Sequence, residues 1–136
     1  MVKKGAYTFA LAGKGGTGKT TLAGLLVRFL KEHDMTPILA VDADSNANFN
    51  EVLGLTVEGT LGQAREAMKT SIPGGMTKDI FIEMKVEQAL VAAKDFDLIV
   101  MGRPEGPGCY CAANNLLSKC IDRLLNNYPY LVIDNE

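Results

Sequence analysis

Tryptophan is absent from this chain of 136 residues, histidine occurs once and cysteine three times. No apolar run approaches the ~20 residues that a membrane-spanning helix needs. Neither sign of charge dominates, with 14 basic and 16 acidic residues and a sequence pI near 5.4. That balance supplies no field to favour nucleic acid or an anionic membrane. The start, Met1-Val2-Lys3-Lys4-Gly5, leads into only a short apolar stretch, which does not make a signal peptide. The expected location is cytoplasmic. In such a reducing compartment three cysteines do not build a disulfide framework, which leaves metal, redox or core roles. What is present is a globular composition, 47% hydrophobic and 22% charged. Disorder is excluded by that apolar content. The length suits one domain, 1–136, able to bury roughly two thirds of its unfolded surface.

The apolar pattern predicts alternating strands and helices. Residues Ala6 to Ala12 read as a strand and Gly13 to Lys19 as a glycine-rich loop. A helix is expected from about Gly18 to His33, with Leu22, Leu25, Leu26, Phe29 and Leu30 on one face. Ile38 to Val41 is an apolar strand closing on Asp42-Ala43-Asp44. Short helices are expected around Asn46–Leu53 and Thr60–Lys69, and a helix or irregular segment from Met76 to Ala93. Asp97 to Met101 is a third strand, followed by a Gly/Pro-rich loop, a helix from Ala112 to Asn127 and a fourth strand from Tyr130 to Ile133. Continuous apolar strands separated by helices predict an α/β fold, a mainly parallel sheet with helices on both faces.

The segment Gly13-Lys14-Gly15-Gly16-Thr17-Gly18-Lys19-Thr20 fits G-x-x-x-x-G-K-[ST], between a strand and an amphipathic helix. Glycines let the backbone wrap around phosphate. Successive N–H groups and the N-terminus of the following helix then point at the anion. Lys19 neutralises the β and γ phosphates, Thr20 offers a hydroxyl to Mg²⁺, and Thr21 continues the loop into the helix. Asp134 follows Tyr130-Leu131-Val132-Ile133 at the carboxyl end of a strand, where ligands of open α/β sheets bind. It reads as the Walker B carboxylate, acting on Mg²⁺ through water. Asp42 and Asp44 end the second strand on the same edge; one could orient the attacking water while the other supports the metal's surroundings. Either alone could instead cap a helix, with Ser45 a rival cap.

Lys14 is not required by the general loop pattern. Lys14-Gly15-Gly16-Thr17-Gly18-Lys19-Thr20 resembles the deviant Walker A loop, K-G-G-x-G-K-[ST], of the MinD-like P-loop ATPases. These include nitrogenase iron protein, the Min and Par positioning ATPases, Mrp-type iron–sulfur carriers and nickel-inserting ATPases. The resemblance implies ATP with Mg²⁺ as bound nucleotide and a two-fold dimer in which Lys14 reaches the partner's nucleotide. It further implies that Asp44 positions water, that Asp42 lies in the first switch and that Asp134 opens the second. The stretch from Gly102 through Cys109-Tyr110-Cys111 to Asn114, and the closing Val132-Ile133-Asp134-Asn135-Glu136, look like carbon monoxide dehydrogenase accessory ATPases of the CooC type. That resemblance implies insertion of nickel into carbon monoxide dehydrogenase or acetyl-CoA synthase.

Two thiolates two residues apart supply half of a tetrahedral sulfur site. A two-fold axis through the loop would complete it with the partner's pair, for Ni²⁺ or Zn²⁺. Cys120 falls on the apolar face of its helix and is expected in the core. His33, near a helix C-terminus where positive charge suits the dipole, has no partner for metal binding or catalysis. Two rival readings remain. A Min or Par positioning ATPase explains the phosphate loop but not the C-x-C pair, and no amphipathic membrane tail or basic DNA face is visible. An iron–sulfur carrier would use the thiol pairs for a [4Fe–4S] cluster. The family continues beyond its Walker B strand, so these residues are expected to be the N-terminal part of a longer chain.

Overall fold

A computed structural model describes residues 7–13, 18–44, 46, 48–69, 72–103 and 111–135. The chain runs β1 (Tyr7–Leu11), α1 (Lys19–Glu32), β2 (Ile38–Ala43), α2 (Phe49–Leu53), α3 (Leu61–Ala67), α4 (Lys78–Ala89), β3 (Val91–Ala92), β4 (Phe96–Val100), α5 (Cys111–Leu125) and β5 (Tyr130–Asn135). The sheet order is β1-β5-β2-β4-β3. Pairings β1–β5, β5–β2 and β2–β4 are parallel, while β3 lies antiparallel to β4 at one edge. The expected α/β class, mainly parallel sheet and helices on both faces are therefore observed.

Alternation along the strands divides the core in two. Leu39, Ile99 and Leu131 face α3, α4 and α5, where Leu61, Ile82, Val86, Cys120 and Tyr128 are buried. Ile38, Ala40, Leu98, Val100 and Val132 face the other way, onto Ala23, Val27 and Leu30 of α1 and Phe49 of α2. A sheet so covered on both sides can carry nearly unbroken apolar strands.

Two expectations are corrected. The apolar face of α1 is not the stripe that its leucines suggest. Leu22, Leu25 and Phe29 are 55%, 55% and 52% exposed, and the helix seats Ala23, Val27 and Leu30 instead. Leu30 and, in part, Leu26 of the expected face do pack on the core; the rest of the contact comes from Ala23 and Val27, whose small side chains allow the closest approach to the sheet. The other correction is β3, two residues within the region read as helical or irregular. Asp95, with φ of 69°, turns the chain back so that Val91 and Ala92 pair with Leu98 and Asp97.

Candidate nucleotide-binding site

Because the four longer strands are parallel and in register, their carboxyl ends lie together. Leu11 stands opposite Asp134, Asp134 opposite Asp42, and Asp42 opposite Val100. Gly13, Asp44 and the Met101–Arg103 exit segment follow on the same edge. This is where ligands of open α/β sheets are bound.

The start of α1 is shaped for an anion. Gly18 occupies its N-cap position with φ of 82°, a left-handed conformation that suits glycine. Among the described residues its first N–H groups and positive dipole end have no capping side chain and no acidic first-turn residue.

Lys19 and Thr20 converge on Asp134. The Lys19 ammonium lies 2.8 Å from Asp134 Oδ1, and the Thr20 hydroxyl donates to Oδ2 at 2.8 Å. The Asp134 side chain is fully buried and that of Lys19 nearly so. An ionised carboxylate in such a place requires a counter-charge and hydrogen-bond donors, and it has both. The hydroxyl of Thr20 beside the carboxylate of Asp134 is a hard oxygen donor set, which fits Mg²⁺ with waters completing its shell.

Asp42, also fully buried, lies beside Asp134 on the neighbouring strand. Its Oδ1 accepts the Asp44 N–H at 3.1 Å and its Oδ2 the Phe49 N–H at 3.1 Å. Burial holds the Asp42 carboxyl above its ordinary value of 3.8; the two N–H bonds oppose that shift, and the charges of Asp134 and Asp44 add to it. Asp44 is half-buried, and its Oδ1 accepts the Asn46 N–H at 2.9 Å. The Asn46 amide oxygen in turn accepts from Arg103 Nη2 at 3.1 Å. The exit of β4 is fastened here as well, the Met101 N–H donating to the Asp42 carbonyl and the Gly62 N–H to the Met101 carbonyl, each at 2.8 Å.

Among the residues expected from sequence, Lys19, Thr20 and Asp134 are in direct contact, with Asp42 and Asp44 alongside. Thr21 is exposed on the first turn of α1. Lys14, Gly15, Gly16 and Thr17 lie outside the described residues. So does Cys109; Cys111 opens α5, but its side chain is not among those described. Among the described residues no group of three or more His, Cys, Asp or Glu is placed to hold a metal ion. Cys120 is buried in the core as expected, with Arg123 Nη2 3.6 Å from its sulfur. His33 ends α1, stacked on Phe29 and donating from Nδ1 to the Phe29 carbonyl. Sequence reasoning missed Phe49, Asn46 and Arg103. The last two are joined across 57 positions, a pairing that no local spacing announces.

Comparison with known proteins bears on the family and the fold. An uncharacterized ATP-binding protein (MJ0685) of Methanocaldococcus jannaschii is 47% identical over 132 residues, covering 93% of this chain and 52% of that protein. The carbon monoxide dehydrogenase accessory protein CooC of Rhodospirillum rubrum is 30% identical, covering 91% of this chain and 52% of its own. This chain thus spans about half the length of these curated relatives. Among solved structures, a plasmid partition protein of Borrelia burgdorferi matches with a TM-score of 0.56 at 20% identity, over 98% of this chain and 56% of that one. An ATP complex of a Cyanothece McdA variant matches with a TM-score of 0.59 at 20% identity, over 96% of this chain and 49% of that one. These structural likenesses concern the fold alone. The family described as an AAA domain matches residues 8–136, nearly the whole chain, and the protein belongs to this family of P-loop ATPases.

Proposed function

We propose that this chain is the nucleotide-binding part of an ATP-driven metallochaperone that delivers nickel to carbon monoxide dehydrogenase or acetyl-CoA synthase. The observation that carries the nucleotide half is the convergence of Lys19 and Thr20 on buried Asp134, beside Asp42 and Asp44. Support for the cargo comes from the 30% identity to CooC and from the Cys109-Tyr110-Cys111 pair. The whole protein on this reading is longer, as its relatives are.

ATP places its phosphates on the amides between Gly13 and Thr20, and Lys19 turns from Asp134 to the β and γ phosphates. Mg²⁺, when bound, neutralises phosphate charge; Thr20 and Asp134 supply its oxygen contacts from the protein, the latter through water. Asp44 orients a water molecule whose oxygen bonds to the γ-phosphorus as the bond to the bridging oxygen breaks, giving ADP and inorganic phosphate. In the dimer Lys14 reaches the partner's nucleotide. The nickel cargo, or zinc in its stead, is held by Cys109 and Cys111 of both subunits. Nucleotide can drive release only if metal affinity differs between the two states.

The test is a nickel titration of the reduced full-length protein, with and without a non-hydrolysable ATP analogue. One metal per dimer is expected, with affinity shifted by the analogue. Equal affinity in the double variant Cys109→Ala, Cys111→Ala would falsify the chaperone reading. A second reading is a positioning ATPase of the Min or Par kind, which uses the same phosphate loop; the plasmid partition protein and McdA share the fold. ATP-dependent co-sedimentation with DNA or liposomes, together with no nickel uptake, would select it.

A further inference from the structure

Helix α2 begins in an unusual way. Its N-cap residue, Asn48, makes no side-chain capping bond, and Phe49, the first helical residue, is fully buried. The Phe49 N–H belongs to the set that no helix can satisfy internally, and burial denies it water. Its acceptor is Asp42, seven residues earlier on β2. The same carboxylate takes the Asp44 N–H with its other oxygen. A buried side chain thus holds both ends of the segment that contains Asp44 and Asn46. Within that segment the Asn46 N–H donates to Asp44 Oδ1, which fixes the Asp44 carboxylate in a tight turn. Opposite, the Met101 N–H fastens the Asp42 backbone to the exit of β4.

We infer that Asp42 is a positioning residue: its carboxylate cross-ties the amides of Asp44 and Phe49 and so sets where the Asp44 carboxylate stands, rather than serving as a ligand of the nucleotide. The two adjacent aspartates divide the work. Asp134 engages Lys19 and Thr20, while Asp42 organises the chain that leaves its own strand. This rests on the reading above of Asp44 as the residue that orients the attacking water.

The decisive variant is Asp42→Asn in the full-length protein. Asparagine keeps one acceptor oxygen and turns an NH₂ toward the second N–H, so one of the two ties is lost. Faster hydrogen exchange is expected at the Asp44, Asn46 and Phe49 amides. With it kcat should fall at least about tenfold, while KM and the binding of a fluorescent ATP analogue stay within about twofold. Weakened ATP binding with unchanged exchange at Asn46 would make Asp42 a nucleotide ligand and overturn the inference. If the wild-type protein hydrolyses no ATP but the three amides still lose protection in the variant, the hydrolysis reading falls and the positioning role stands. Should the variant fail to fold, the wild type decides through the scalar coupling across the hydrogen bond from Phe49 nitrogen to Asp42 Cγ. It is expected to persist when ADP or the ATP analogue is bound, and its disappearance would show the carboxylate leaving for the nucleotide.

Discussion

Lys19 and Asp134 form a buried ion pair, so removing either charge strands the other. Lys19→Met therefore does two things. It costs on the order of 3 kcal/mol of stability in the nucleotide-free protein, because Asp134, beside Asp42, then loses the cation paired with it. It also lowers hydrolysis by roughly 100-fold or more, since a charge aimed at the transferring phosphate is lost. Thermal melts and single-turnover assays check the two parts. Asp42 gives a pH signature of its own. Its carboxyl is held above 3.8 by burial, so the folded protein binds this proton more tightly than the unfolded chain does. Its contribution to stability is therefore greatest below 3.8 and is lost as pH rises through the higher folded value. A carbon-detected titration should find the Asp42 midpoint above 3.8, and the stability of Asp42→Asn relative to wild type should improve over that window. The grouping of Lys19, Thr20 and Asp134 is legible in sequence, because a phosphate-loop pattern and an acidic strand end are local features that a parallel sheet brings to one edge. The acceptor role of Asp42 is not, because a lone aspartate at a strand end says nothing of which amides will be buried next to it.

At the scale of elements, helix α3 shows how local and distant signals combine. Thr60 and Gln63 form a capping box, the Thr60 hydroxyl accepting the Gln63 N–H and the Gln63 side chain accepting the Thr60 N–H. Thr-x-x-Gln is readable in a sequence and sets the start of this helix. What it does not tell is why residue 62 is glycine. A Cβ there would stand 2.6 Å from the Arg103 carbonyl, in the segment that carries Arg103 toward Asn46. Backbone cannot yield as a flexible side chain does, so Gly62→Ala should cost about 1–3 kcal/mol and move the 101–103 segment. Chemical denaturation measures the first effect, and amide shifts at Met101 and Asn46 report the second. Helix α1 teaches the reverse lesson. Its periodicity identifies a helix but not the sector that is covered, since apolar residues lie on several sides.

Across the whole molecule, among the described residues, the sheet ends at β1 on one side, with Tyr7 59% exposed, while Leu22, Leu25 and Phe29 of α1 stand more than half exposed. A parallel strand and an apolar helix face left open in this way invite association. These 136 residues expressed alone should therefore self-associate as concentration rises, and Leu25→Lys with Phe29→Glu should shift sedimentation toward the monomer with only a small change in melting temperature. Unchanged sedimentation would show that association, if any, uses another face. No described helix is long and apolar enough to cross a membrane.

The amino-acid sequence alone determined the alternation of strands and helices and the placing of Asp42 and Asp134 at strand ends, because periodicity and short-range chemistry are local properties. Tertiary structure decided the strand order that sets Asp42 beside Asp134, the sector of α1 that is buried, and the joining of Arg103 to Asn46. Those outcomes depend on which surfaces meet after the chain has folded back on itself, and no spacing along the chain encodes them.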